Sequence, residues 1–193
     1  MSIISQIKKI LGSKGIGSNI REAEQSNLNA KELQLKFVKE NLKPLLKQQG
    51  FLTKGQTWWR DQGEFFIIIN LQNFSWNLRD DVSFCFNIGI GLKALIKDAK
   101  HSPGYNNLHV ILREDAYLAQ KKEHKYRNQT GYLIKTGADF VSLVAAIKRD
   151  FEEDILPQLN KLKTLKDCLG CYGDIPFWGD NLKKLITNNN LFI

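Results

Sequence analysis

Residues 82–92 constrain this chain more than any other stretch. Phe84, Phe86, Ile88, Ile90 and Leu92 alternate with Cys85, Asn87, Gly89 and Gly91. A strict period of two belongs to a β-strand, because successive side chains point to opposite faces. One face of this strand is large and apolar and must cover a core. The other is small and partly polar, so a helix or a ligand has room to approach it closely. Residues 65–69, Phe-Phe-Ile-Ile-Ile, are apolar on both faces and suit a central strand covered on each side. Residues 57–60, 61–63 and 64–71 read as strand, turn and strand, and 108–112 and 132–134 as two further strands.

Helical periodicity flanks this region. Asn29 and Glu32 have capping-box spacing, and Leu35, Val38, Leu42 and Leu45 follow as one stripe. Pro44 should kink or restart that helix, and Gly50 should end it. Thr136 and Asp139 can cap a second helix carrying Phe140, Val144, Ile147, Phe151 and Ile155. Pro157 interrupts it, Leu159 and Leu162 point to its resumption, and a last helix is expected from about Asp180, with Leu182, Leu185 and Ile186 inward. Short connections between strands favour antiparallel pairing. The expected class is α+β: an antiparallel sheet of about four or five strands in a meander, with N- and C-terminal helices packed on it.

The division expected is an N-terminal amphipathic helix and flexible linker at 1–19, then a single α+β domain at 20–193. Ile3, Ile4, Ile7, Ile10 and Leu11 share a helical face, and 12–19, GSKGIGSN, form the linker. The helix reads as docking on the body or on a second subunit. Two lysines are too few for stable attachment to a membrane surface.

Composition limits the class of protein. Of 193 residues, 42% are hydrophobic and 25% charged, enough for a soluble core and far from a disordered chain. No run reaches the ~18–20 apolar residues of a spanning helix. Three Cys are too few for a disulfide scaffold and favour a reducing, cytoplasmic compartment. The net charge of +8 is uneven, since residues 1–50 and 93–135 each carry +5. Much of the first excess is the solvated side of an amphipathic helix. Lys121, Lys122, Lys125 and Arg127, with Tyr126 among them, remain as a compact basic patch for nucleic acid.

Lys43-Pro44-Leu45-Leu46, Gly50-Phe51, Trp58-Trp59-Arg60, Asn70-Leu71-Gln72 and Phe86-Asn87-Ile88-Gly89 occur in an order that resembles an uncharacterised bacterial family, the domain of unknown function forty-three-zero-four. The likeness covers about residues 30–160. It implies a bacterial, cytoplasmic α+β protein and supplies no activity, so no catalytic residue is carried over.

The motifs that carry chemistry elsewhere are weak here. Cys168-Leu169-Gly170-Cys171 follows a helical run, and a helix C-terminus disfavours thiolate. As half a zinc site it lacks a second pair. His101, His109 and His124 have no ligand spacing, and His109 reads as a satisfied strand histidine. Asp80-Asp81 and Glu114-Asp115 read as solvated turn residues. Gly89-Ile90-Gly91 lies inside a strand and makes no dinucleotide loop. No catalytic residue, metal ligand or cofactor is assigned. Asn70, Gln72 and Asn87, with Trp58 and Trp76, form the candidate ligand-binding set, because amides within apolar strands need partners. The favoured function is a non-catalytic interaction protein, immunity-type or regulatory, that binds another protein or itself. A nucleic-acid binder acting through 121–127, and an enzyme or small-molecule binder using the amide set, are the alternatives.

Overall fold

The computed structural model describes residues 28–97, 102–119 and 125–191. The helix and linker expected at 1–19 lie outside the described residues. Helix α1 (Ala30–Phe37) starts at Asn29, whose side chain accepts from the Glu32 N–H while Glu32 accepts from the Asn29 N–H. This is the expected capping box. A π-helical turn (Val38–Leu42) then leads into α2 (Lys43–Gln48). Pro44 has no N–H for the carbonyl four residues back, and its ring crowds that carbonyl. The ladder shifts register, and Lys43 donates five residues back, to Val38. The extra residue rotates the core face, so Leu33 and Phe37 continue into Leu42, Leu45 and Leu46. The stripe expected through Leu35 is corrected by this: Leu35 is 53% exposed.

Seven strands form one antiparallel sheet. β1 (Leu52–Lys54), β2 (Thr57–Asp61), β3 (Phe65–Asn73) and β4 (Asp81–Leu92) make a meander. β5 (Val110–Arg113) and β7 (Gly131–Lys135) both pair with the free edge of β4, and β6 (Arg127–Asn128) pairs with β7. The two strands beyond the expected number, β1 and β6, are too short to show alternation. β7 covers positions 81–84 of β4 and β5 covers 87–90. Cys85 and Phe86 fall at the junction, where the Phe86 N–H has no strand partner. It donates instead to Glu114 Oε2 at 2.7 Å.

The face of Phe84, Phe86 and Ile88 lies under the helices and forms the main core. Phe151 and Tyr132 pack on Phe86 with ring centroids 4.9 Å and 5.8 Å away. The other face carries a smaller cluster, Phe66, Ile68 and Leu108, flanked by Trp59, Ile96 and Ile111. The room left by the two strand glycines is filled by backbone. A Cβ on Gly89 would lie 1.8 Å from the Val110 carbonyl oxygen, and one on Gly91 2.4 Å from that of Asn107.

After the sheet, α3 (Phe140–Arg149) is capped by Asp139, which accepts from the Val141 and Ser142 N–H groups. Thr136 serves elsewhere, accepting from the Ala30 N–H and donating to Asp80. A second π-helical turn (Asp150–Ile155) precedes Pro157 in α4 (Leu156–Leu159), repeating the proline device of α2. The helix ends at Leu159 and does not resume through Leu162. Thr164 and Asp167 form a further capping box that opens α5 (Leu165–Tyr172), a separate helix. The last helix, α6 (Trp178–Asn188), starts just before its expected place. No helix of the described residues is long and apolar enough to cross a membrane.

Candidate functional site

Asn70, Gln72 and Asn87 share one face of the sheet, opposite the main core, with Asn70 and Asn87 directly across from each other. Asn87 Nδ2 donates to Gln72 Oε1 at 2.8 Å, and Asn70 Nδ2 donates to Thr57 Oγ1 at 2.9 Å. The amides are thus largely satisfied by one another and by the neighbouring strand. Trp58 lies across from Ile69 on the core face and is 1% exposed. It shares no pocket with the amides. Trp76 stands in the β3–β4 connection, 61% exposed, stacked on Phe74 at 4.5 Å. Arg113 lies over the other ring of that pair, 5.6 Å from the Phe74 centroid.

The basic patch is only partly a surface. Lys121 and Lys122 lie outside the described residues. Lys125 is exposed, its ammonium 4.9 Å from the Tyr126 ring. Arg127 is turned inward. Its guanidinium pairs with Asp115, lies 3.6 Å from Glu114 Oε1 and 3.8 Å from Asp150 Oδ2, and sits over the Tyr132 ring. The Tyr132 hydroxyl donates to Asp150 Oδ2 at 2.8 Å. Burial raises the pKa of Glu114, and burial together with the Asp150 and Glu114 charges raises that of Tyr132. Here a guanidinium balances carboxylates supplied by the turn after β5 and by the second π-helical turn; it offers no open face to a phosphate. Glu114 is fully buried, which corrects its reading as a solvated turn residue. Junction geometry decides this, because the orphaned Phe86 N–H needs an acceptor.

The pair Cys168 and Cys171 is expected at a helix C-terminus, but Cys168 is the fourth residue of α5, one turn after its Thr164 cap, and only Cys171 lies near its end. Burial pushes the Cys168 thiol up to about 12 and raises that of Cys171. Neither is poised as a thiolate. Cys85 is buried at the strand junction and is pushed up to about 11. His109 Nδ1 accepts from the Leu92 N–H at 3.0 Å, and burial lowers its pKa. His101 and His124 lie outside the described residues. Among the described residues, no group of three His, Cys, Asp or Glu side chains is placed to hold a metal ion.

Sequence reasoning passed over Arg60, which ties distant elements together. Its guanidinium donates to the Gln49 carbonyl at 3.0 Å, to Asn160 Oδ1 at 2.7 Å and to the Leu159 carbonyl at 3.1 Å. It therefore joins the C-terminal ends of α2 and α4, where a cation meets the negative end of each helix. Its carbon lies 4.8 Å from the Phe51 ring centroid. Gly50-Phe51, Trp58-Trp59-Arg60 and the Gln72–Asn87 pair are thus packing and pairing units. A lone arginine following two tryptophans in an apolar strand was the available signal.

A cleft of about 520 Å³ opens between α1 and the β3–β4 connection. Lys31, Gln34 and Leu35 form one wall, and Asn73, Leu78, Arg79 and Val82 the other. Gln34 Nε2 donates to Asn73 Oδ1 at 2.7 Å, and the Lys31 N–H to the Arg79 carbonyl at 3.2 Å, so the floor is stitched shut. Leu35 and Leu78, the latter 70% exposed, stand on either rim. The cleft combines exposed apolar side chains with two cations, Lys31 and Arg79, and one carboxylate, Glu32, and neither leucine belonged to the candidate ligand set.

No curated protein and no solved structure matches the chain. A family model does, over residues 42–161, which includes the whole second wall of the cleft and excludes α1, α5 and α6. The chain belongs to the family described as Domain of unknown function (DUF4304).

Proposed function

We propose that this protein is a non-catalytic interaction protein that docks a partner protein in the cleft between α1 and the β3–β4 connection. The observation that carries the reading is the pair of exposed leucines, Leu35 and Leu78, that line one preformed cleft together with Lys31, Glu32 and Arg79. Apolar surface held open in a folded chain is the usual mark of a binding face. The amide set and the Arg127 cluster support the same reading, because both spend their polar groups on internal partners. Its three cysteines are free thiols, which favours a reducing compartment such as the bacterial cytoplasm.

The test is a pull-down with the full chain from lysate of the source cells, divided into nuclease-treated and untreated halves. A stoichiometric protein should be retained in both halves by the wild-type chain and lost with the double variant Leu78→Asp/Arg79→Glu. Both positions are exposed, so the variant should melt at the wild-type temperature. Retention that vanishes with nuclease would favour nucleic acid instead. Equal retention by wild type and variant would remove the cleft from consideration.

A further inference from the structure

Among the described residues, only Phe177 and Asn190 hold a positive φ without being glycine. Asparagine tolerates that region; a phenylalanine rarely occupies it. Phe177 has φ 68 and ψ −56, and the Trp178 N–H donates across it to the Pro176 carbonyl at 2.8 Å. This is a γ-turn of the rare positive-φ kind, a strained conformation. It drives the Phe177 ring outward, 70% exposed, with Trp178 packed edge-on behind it at 4.8 Å. Asp174 and Asp180, three residues before and after Phe177, are both exposed. Lys183 lies 3.9 Å from Asp174, one turn further along α6.

An apolar ring with Asp174 and Asp180 three residues before and after it answers two leucines in a cleft where Lys31 and Arg79 outweigh the single carboxylate of Glu32. The two places lie at opposite ends of β4. Val82, near its start, lines the cleft. At its far end the Leu92 N–H donates to His109, whose carbonyl accepts from Asn181 of α6. The intervening strand is about 33 Å long, so a chain does not seat Phe177 in its own cleft.

We infer that Phe177 of one copy seats between Leu35 and Leu78 of a second copy, with Asp174 and Asp180 turned towards Lys31 and Arg79. This rests on the reading of the cleft as a protein-docking site. The contact is head-to-tail and leaves one cleft and one Phe177 free, so assembly continues beyond the dimer. The patch is small, so a Kd on the order of 100 µM is expected. Salt weakens the assembly through its charged rim.

Sedimentation equilibrium of the full chain tests this, over concentrations from about one-tenth to about ten times that Kd. The weight-average mass of the wild type should climb with concentration and fall back in high salt. Phe177→Gly and Leu78→Asp should each stay at monomer mass. Their mixture should form dimers only, because one supplies an intact cleft and the other an intact Phe177. Glycine accepts the positive φ, so Phe177→Gly should melt no lower than wild type, which separates lost assembly from lost folding. A wild type that stays monomeric throughout would overturn the inference, as would assembly that survives either substitution or a mixture that fails to recover. If the wild type stays monomeric while a captured protein still depends on Leu78 and Arg79, the cleft docks a foreign partner and only the self-assembly fails.

Discussion

His109 enters the fold as an acceptor. Its Nδ1 receives the Leu92 N–H, so the ring must stay neutral with its proton on Nε2. Burial holds its pKa below the ordinary 6.5. The unfolded chain therefore binds the proton first as pH falls. The stabilisation is complete above about 6.5 and is lost as pH drops through the folded value. Glu114 acts in the opposite sense, since its pKa is raised: its stabilisation is present below the ordinary 4.5 and fades as pH rises above that value. Comparing variants isolates the histidine. Between about pH 7.5 and about pH 5.5, the melting temperature of wild type should fall further than that of His109→Gln, whose amide oxygen keeps accepting without titrating. Equal falls in thermal melts would place the acid sensitivity elsewhere. His109 was legible as a satisfied histidine, because apolar residues flank it on both sides, and it stands one residue before β5 rather than within the strand. The burial of Arg127 was not legible, because its carboxylate partners come from the turn after β5 and from the second π-helical turn.

At the scale of elements, two prolines and two glycines set the geometry. Pro44 and Pro157 each follow a π-helical turn, and each turn restores the core face of its helix by one extra residue. Capping boxes at Asn29 and Thr164 depend on residues three apart, so they follow from local chemistry. The Leu35 stripe misleads because a fixed 3.6 period does not allow for a shifted ladder. Gly89 and Gly91 admit the backbone at 107–110 against β4, an approach no side chain permits. Gly89→Ala should therefore push β5 away and cost at least about 2 kcal/mol, read as a lowered urea midpoint. A midpoint within error of wild type would mean that the strand pair yields without cost. The strained turn at Phe177 costs on the order of 1–3 kcal/mol, which surrounding contacts offset. Nothing in the pattern DIPFW announces a positive φ. It follows from how α6 is held, with Asn181 donating to the His109 carbonyl and Gly179 lying close against the Gly173 carbonyl.

At the scale of the whole molecule, the core reaches beyond the segment that defines the family. Leu165, Cys168 and Tyr172 of α5, with Leu182 and Ile186 of α6, are buried in the same cluster as Phe84 and Phe86. The Tyr172 hydroxyl meets that of Tyr117 at 3.0 Å inside that core. A chain ending at residue 161 should lose cooperative thermal unfolding and bind a hydrophobic dye, because its core lacks this cover. A sharp two-state melt of that truncated chain would show the sheet and α3 to be self-sufficient. Charge is distributed by the same architecture. The net +8 suggests a basic surface, yet Arg127 is spent on internal carboxylates. The sequence by itself determined the longer elements, though not the short β1 and β6 or the separate α5: alternation over 82–92 forces a two-faced strand, and caps and prolines mark the helices, because these signals act between residues a few positions apart. Only the tertiary structure decided which residues are inside. The joining of helix ends by Arg60, the charge cluster at the broken edge of β4, the cleft and the outward Phe177 all depend on register and crossing between distant segments, and no local period encodes those.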